Sequence, residues 1–388
     1  MSKIVYADNA ATTALSKQAL EAMMPYLTSE LGNPSSLYSL GRSAKQAIDS
    51  AHIKVADAIG AKPEEIYFTG GGTEADNWAI KSVTELRKTK GKHIITSSIE
   101  HHAVFHTLQY LEKNGYEVTY LEVDKAGQIS LDELRSAIRE DTILITIMTA
   151  NNEIGTILPV AEIGKIAHEL GILFHTDAVQ AVGHIPINVE QMNLDFLSLA
   201  GHKFRGPKGI GALYIKKDLR LPSNMLGGGQ EHGLRSGTEN VAGIVGLATA
   251  LEEATIHLPV NMKKVLAMRD RLIKGLLKIP HSQLTGDPVN RLPGTASFTF
   301  EYVEGESMVL LLDHYGICVS SGSACSSASL DPSHVLLAIG LPHEIAHGSL
   351  RLSINEDNTD EEIDYILEKL PAVISRLRNM SPLWNEKN

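Results

Sequence analysis

The chain has 388 residues, 43% of them hydrophobic, and its 35 Lys and Arg against 46 Asp and Glu residues give a net charge of −11. This acidic balance repels phosphate backbones, so we expect no direct contact with nucleic acid. Only two cysteines occur, Cys318 and Cys325, which excludes a disulfide scaffold and fits a reducing cytoplasm. We find no apolar stretch long enough to cross a bilayer and no secretory signal, so we predict a cytoplasmic protein without a membrane anchor.

Short apolar runs alternate with helical stretches over the first part of the chain. Helical spacing of apolar residues marks 16–26 and 43–59. The runs with strand character lie at 66–68, 93–96, 118–121, 142–148, 172–174, 196–199 and 211–215. Helical stretches such as 74–89 and 161–170 separate most of them. This alternation predicts an α/β fold with a mainly parallel seven-stranded sheet covered by helices.

The pattern changes near residue 255. A long helical pattern covers 251–281, and the strands expected beyond it, at 296–302, 319–320 and 350–354, have fewer helical crossovers. A chain of this length is expected to form two domains. We therefore predict a large domain at 16–255 and a smaller α+β domain formed by 1–15 and 256–388.

Two segments place an ionisable side chain where an apolar strand ends. Asp177 closes one strand, and Lys203 follows the next. In open α/β sheets ligands bind at this edge. A lysine near a fixed carboxylate suits a Schiff-base cofactor whose ring nitrogen needs an anionic partner, and pyridoxal 5'-phosphate is the first candidate. A surface lysine and a loop-capping aspartate would explain either segment alone.

Three further strand ends carry groups that suit the same cofactor. The turn from Gly70 to Glu74 opens a helix whose backbone N–H groups and dipole favour a phosphate, although it lacks the P-loop lysine. His101 can stack on a ring and move protons, but it can equally be an exposed loop histidine. The amides of Asn151 and Asn152 can bind a carboxylate or a ring oxygen, although such turns also form for backbone reasons.

Each group has a chemical task in this interpretation. Lys203 holds the aldehyde as an imine, and Asp177 keeps the pyridine nitrogen protonated so that the ring accepts electrons. Gln180 donates a hydrogen bond to the ring oxygen. The phosphate is held by Thr73 and His202, with Glu74 in the same turn.

The two cysteines stand in different surroundings. Cys318 lies between Ile317 and Val319, which predicts a packed strand residue. Cys325 lies in a stretch of serine, alanine and glycine that cannot bury an apolar face. Cys325 is therefore the candidate nucleophile, and a linker thiol without a function is the alternative.

Several ordered motifs resemble those of the cysteine desulfurases. They are Asn-Asn-Glu-Ile-Gly at 151–155, His-Thr-Asp-Ala at 175–178, Gly-His-Lys at 201–203 with Gly-Pro-Lys-Gly at 206–209, Arg-Ser-Gly-Thr at 235–238, and Ser-Ser-Gly-Ser-Ala-Cys at 320–325 with Pro-Ser-His-Val-Leu at 332–336. The similarity extends from the motif at 6–13 to that at 360–364. It implies a fold-type I, class V aminotransferase-like enzyme that uses pyridoxal phosphate. The cysteine segment resembles the subgroup in which the nucleophile sits on a long loop.

The resemblance also implies roles for individual residues. Lys203 matches the Schiff-base lysine, Asp177 the pyridinium partner and His101 the ring-stacking acid and base. The other implied contacts are Thr73, Asn152, Gln180 and His202 with the cofactor, Arg351 and Asn152 with the substrate carboxylate, and Thr238 with the phosphate of the second subunit. Thr238 thus implies a homodimer. Ala200 stands where many relatives carry a phosphate-binding serine, so we expect slightly weaker cofactor retention.

The implied reaction converts L-cysteine to L-alanine and transfers sulfur, as a persulfide on Cys325, to an acceptor. The acceptor is an iron–sulfur scaffold or a sulfur-carrier protein, for cluster assembly or tRNA thiolation. No metal is expected in the resting enzyme, although Cys325 can transiently ligate an iron–sulfur cluster on a scaffold partner. A selenocysteine lyase or another class V pyridoxal-phosphate aminotransferase stays an alternative, because a selenium-preferring lyase would carry nearly the same residues.

Overall fold

The structure is a computed structural model that describes residues 4–322 and 332–385. Its strands are Val5–Tyr6 (β1), Ile66–Thr69 (β2), His93–Ser97 (β3), Glu117–Leu121 (β4), Thr142–Thr146 (β5), Leu173–Asp177 (β6), Phe196–Ala200 (β7), Gly211–Ile215 (β8), Ser282–Leu284 (β9), Thr295–Phe300 (β10), Ile317–Cys318 (β11) and Ser349–Ser353 (β12). Its α-helices are Lys17–Thr28 (α1), Ser39–Ile59 (α2), Gly72–Leu86 (α3), His102–Lys113 (α4), Leu131–Ala137 (α5), Val160–Glu169 (α6), Val241–Leu276 (α7), Gly305–His314 (α8), His334–Ala338 (α9), His343–Ala346 (α10), Asp360–Met380 (α11) and Pro382–Asn385 (α12).

A seven-stranded sheet with the order β2-β8-β7-β6-β5-β3-β4 forms the centre of the larger part. β8 runs antiparallel to β2 and β7, and the other neighbouring strands are parallel. This arrangement confirms the predicted mainly parallel sheet. Its inner strands are buried along their whole length, as expected for strands covered on both faces. The carboxyl ends of β3, β5, β6 and β7 consequently meet at one edge.

A second, smaller sheet has the antiparallel order β12-β10-β9, and β1 pairs with β11 in parallel. The predicted strand at 319–320 is wrong, since the strand ends at Cys318. The chain turns at Gly316 (φ 75°), and the strand begins directly after it, so that Ile317 pairs with Val5. Ser320 instead makes an isolated bridge to Arg351 in β12.

The helix α7 extends from a hydrophobic core of the large sheet to the hydrophobic core of the small sheet. Leu247 and Leu251 lie in the core of the large sheet, whereas Val265 and Leu272 lie in the core of the small sheet. The predicted boundary near residue 255 falls within this helix and stays a prediction. By length and composition α7 could cross a membrane, so the expectation that no stretch reaches that length is wrong. The helix packs against α1 and α2, and much of its surface is buried within the fold.

Candidate active site

A pocket of about 330 Å³ opens at the shared edge of β3, β5, β6 and β7. Its volume is at the lower end of the range for small-molecule sites, ~300–1,000 Å³. The predicted site residues that line it are Thr73, His101, Asn152, Asp177, Gln180, His202, Lys203 and Arg351. Residues more than two hundred positions apart in the chain therefore meet in one cavity.

Lys203 closes a short 3-10 turn, Gly201–Lys203, directly after β7. Its Nζ donates hydrogen bonds to the backbone oxygens of Ala10 (2.6 Å) and Ala11 (3.0 Å). The amide of Gln180 donates to the same Ala10 oxygen at 2.9 Å. The amino-terminal segment is thereby held against the ends of β6 and β7, and it forms one wall of the pocket.

Asp177 is the last residue of β6 and is 5% exposed. Its Oδ1 accepts a hydrogen bond from the backbone N–H of Val179 at 2.9 Å. Burial raises the pKa of this carboxyl, while His101, the Val179 N–H and Lys203 lower it. The protein therefore offsets the negative charge of the Asp177 carboxylate only in part. A cationic group bound in the pocket would offset the rest.

His101 caps the amino terminus of α4. Its Nδ1 accepts a hydrogen bond from the backbone N–H of Ala103 at 3.2 Å, so the neutral ring carries its proton on Nε2. Burial lowers the pKa of His101, with Lys203 acting in the same direction and Asp177 in the opposite one. A neutral imidazole of fixed tautomer is thus presented to the pocket.

His202 and Thr73 stand at the part of the pocket predicted to hold a phosphate. His202 Nδ1 lies 3.2 Å from Thr12 Oγ1, and burial, Lys203 and Lys208 lower the pKa of His202 to about 4. A neutral His202 can donate one N–H to an anion. Thr73 lies in the first turn of α3, which follows Gly71 (φ 151°), a backbone conformation that glycine adopts readily.

Arg351 reaches the pocket from β12 and is 7% exposed. Its Nη1 donates to the backbone oxygen of Asn152 at 2.9 Å, and its Nη2 donates to Asp8 Oδ1 at 3.0 Å. Its buried Nε has no hydrogen-bond partner among residues 4–322 and 332–385. The remaining donors of this planar group suit a carboxylate.

Two predicted residues lie outside the pocket lining. Glu74 accepts hydrogen bonds from the Gly70 N–H (2.6 Å) and from Arg235 Nε (2.9 Å), so it joins the glycine turn to the loop before α7. Thr238 is exposed on that same loop. Their contacts with a cofactor stay predictions, and Cys325 lies outside the described residues.

The class V aminotransferase family model matches residues 5–366. The chain is 60% identical to the cysteine desulfurase IscS of Methanosarcina thermophila over 381 residues, covering 98% of this chain and 94% of that protein. The chain belongs to the cysteine desulfurases. A solved NifS-like protein has a TM-score of 0.91, 40% identity and coverage of 96% and 100% of the two chains. The structure of SspA in complex with cysteine has a TM-score of 0.81, 39% identity and coverage of 90% and 98%.

The cofactor of a class V cysteine desulfurase is pyridoxal phosphate, and the pocket residues fit it. The pocket offers a primary amine for the aldehyde, and the buried Asp177 suits a protonated ring nitrogen. The Oδ1 atom of the buried Asp76, which also lines the pocket, has no hydrogen-bond partner within the described part of the chain. When bound, the cofactor supplies a ring that accepts electrons from the substrate α-carbon.

Sequence reasoning missed three acidic residues of this desulfurase site. Asp8 pairs with Arg351, Asp76 lines the pocket, and Glu100 lies behind His101. Glu100 accepts hydrogen bonds from Ser97 Oγ (2.6 Å) and the Met148 N–H (3.0 Å), and burial raises its pKa to about 8. Only Asp76 had a readable signal, since it stands one helical turn after Thr73. Asn151 was suggested together with Asn152 as a ligand for a carboxylate or a ring oxygen. It is instead fully buried, and its Oδ1 accepts hydrogen bonds from the backbone of its own turn.

Proposed function

We propose that this desulfurase transfers the sulfur of L-cysteine to Cys325 as a persulfide, releases L-alanine and passes the sulfur to a protein acceptor. The observation that carries the proposal is the convergence of Lys203, Asp177, His101 and Arg351 in one pocket. Arg351 and the side chain of Asn152 bind the substrate carboxylate. Lys203 removes the α-proton, since it lines the same pocket as Arg351.

The sulfur step balances without an added oxidant or reductant. The Cys325 thiolate attacks the substrate sulfur, a sulfur–sulfur bond forms, and the carbon–sulfur bond breaks with its electron pair left on carbon. That carbon and the α-carbon each then take a proton, which His101 and Lys203 supply, so that the proton removed from the α-carbon is returned. The net change is one sulfur atom gained by Cys325 and one molecule of cysteine converted to alanine.

The properties of the other cysteine support the choice of Cys325. Cys318 is half-buried in β11, and burial together with Asp313 and Asp8 raises the pKa of its thiol. A thiol with a raised pKa is a poor nucleophile at neutral pH. Because the chain holds only two cysteines, Cys325 is the remaining candidate.

We also propose that the enzyme is a cytoplasmic homodimer that serves an iron–sulfur scaffold or a sulfur carrier. Exposed apolar side chains on and after α1 support a contact with a second copy, because water-exposed patches of this kind mark interfaces. They are Leu20, Met24, Leu27, Leu31 and Leu37, with exposures of 45%, 45%, 59%, 78% and 89%. Thr238 would then meet the phosphate in the second subunit. The large domain is 16–255, and 1–15 with 256–388 form the small domain.

Mass analysis of the holoenzyme after treatment with L-cysteine tests the nucleophile. The expected result is one added sulfur on the peptide that contains Cys325, which is absent from Cys325→Ala and present in the matched variant Cys318→Ala. Cys325→Ala should also release no sulfur to an acceptor. Normal sulfur release by Cys325→Ala would remove this thiol from the reaction.

A further inference from the structure

Asp76 is a buried carboxyl group in the cofactor pocket that the proposed reaction does not use. It lies on α3, is 1% exposed and lines the pocket together with Asp177 and Lys203. Its Oδ1 is buried and has no hydrogen-bond partner among the described residues. Because removing a carboxyl oxygen from water without a partner is costly, this atom requires an explanation.

The closest polar neighbours of Asp76 carry no permanent positive charge. One ligand-type atom each of Asp76, His101 and Asp177 lies within 4.8 Å of the others. Asp76 Oδ1 also lies 3.5 Å from Nε2 of His175, whose Nε2 is 3.0 Å from Ser198 Oγ. His175 is fully buried, and burial lowers its pKa to about 3, so its ring is neutral. Among residues 4–322 and 332–385, Asp76 therefore has no positively charged ion-pair partner, while a second carboxyl stands beside it.

Several titratable groups face Asp76 from the elements packed against α3. They are Asp177 and His175 from β6, Glu100 and His101 from the segment after β3, and Lys203 from the turn after β7. Burial raises the pKa of Asp76 well above its ordinary value, Asp177 and Glu100 act in the same direction, and Ser198 acts against them. Two buried carboxyl groups this close cannot both ionise without a large energetic cost.

We propose that Asp76 is a positioning residue that keeps its proton while Asp177 is ionised, so that the pair presents a single negative charge to the ring nitrogen of the cofactor. This inference rests on the proposed role of Asp177. Asp177 has the better stabilised charge, because it accepts the Val179 N–H and lies near Lys203. At alkaline pH Asp76 releases its proton to solvent, and the charge that Asp76 and Asp177 together place in the pocket changes from −1 to −2.

Infrared spectroscopy of the holoenzyme with 13C-labelled aspartate carboxyl groups tests the proposal on the unmodified chain. The label separates aspartate from the buried glutamates. The expected result at neutral pH is the C=O band of a protonated aspartic acid, which disappears as the pH becomes alkaline and is missing in Asp76→Asn. Absence of this band from the wild-type spectrum, or its persistence in Asp76→Asn, would overturn the proposal.

Cofactor affinity gives a second readout. An amide is neutral and has the shape of the acid, so the Kd for pyridoxal phosphate should rise less than about threefold in Asp76→Asn and at least about tenfold in Asp76→Ala. Equal weakening in both variants would mean that a charge on Asp76 is needed. Glu85→Gln, at the exposed end of the same helix, is the control and should change neither readout. Unchanged affinity in Asp177→Asn would instead contradict the proposed role of Asp177.

Discussion

Asp8 Oδ1 lies 3.0 Å from Nη2 of Arg351, and this ion pair joins the amino-terminal segment to β12. The side chains are 20% and 8% exposed, so solvent screens the pair weakly. The Asn152 carbonyl holds Nη1 at the same time. Two acceptors from distant segments thus fix the plane of the guanidinium, which decides how a substrate carboxylate can approach it.

Replacing Asp8 by Asn should weaken the capture of cysteine. The amide keeps the size of the side chain but loses the charge-assisted hydrogen bond, so Arg351 loses part of its fixed orientation. We expect the KM for cysteine to rise about tenfold, which corresponds to ~1.4 kcal/mol, with a smaller change in kcat. Steady-state alanine release measures both. Asp49→Asn, an exposed aspartate on α2, is the control, and an unchanged KM in Asp8→Asn would contradict the prediction.

Lys203→Ala should lose the covalent attachment of the cofactor. Borohydride reduction followed by peptide mapping should label position 203 in the wild type and nothing at that position in the variant, because only the amine forms a reducible imine. Lys208→Ala, an exposed lysine five residues later, should be labelled like the wild type. A label retained on another lysine of Lys203→Ala would reassign the attachment.

His101→Asn should lower kcat by about 10²–10⁴, the usual contribution of an acid–base group, while the cofactor stays bound. Burial lowers the pKa of His101, so its neutral form persists below the ordinary histidine range. We therefore expect the acidic limb of the kcat/KM profile in the wild type to lie below pH ~6.5. His257→Asn, an exposed histidine on α7, should show the wild-type profile. An acidic limb at or above the ordinary value would argue against His101 as the titrating group.

The sequence predicted the large sheet well because its strands are short apolar runs separated by helices. It also predicted eight pocket residues. Polar groups at strand ends of the large sheet were expected to meet at one edge, whereas Arg351 was predicted only through the resemblance to the cysteine desulfurases. Neither the reversed direction of β8 nor the start of α7 at Val241 could be read from the same pattern. Both depend on packing between segments that are distant in the chain.

The acidic residues of the site show this limit more clearly. Asp8 and Arg351 are 343 positions apart, and no periodicity connects them. Asp76 occupies an ordinary helical position, and its importance comes from the burial that the fold imposes on it. Pairing and burial are tertiary properties, so the sequence could not indicate that Asp8 pairs with Arg351 or that Asp76 is buried. It indicated only that Asp76 lies one helical turn after Thr73.

The buried carboxyl of Glu153, which lies near Arg351, should make the free energy of unfolding depend on pH. It is 6% exposed, accepts a hydrogen bond from Ser333 Oγ, and burial raises its pKa from 4.5 to about 7, with Ser333 and Arg351 acting in the opposite direction. The unfolded chain releases this proton near the ordinary value, whereas the folded chain keeps it until about pH 7. Glu153 therefore lowers the free energy of unfolding progressively as the pH rises through this window.

Glu153→Gln should remove that dependence, because an amide does not titrate and its oxygen can still accept from Ser333. Relative to the wild type, the variant should gain on the order of 3 kcal/mol of unfolding free energy between pH 4.5 and pH 8. Denaturant unfolding of both proteins at the two pH values measures this difference, and any pH-independent packing effect cancels in the comparison. Glu162→Gln, an exposed glutamate on α6, should gain nothing. An equal stability difference at both pH values would mean that Glu153 is ionised in the fold throughout, with Arg351 compensating its burial.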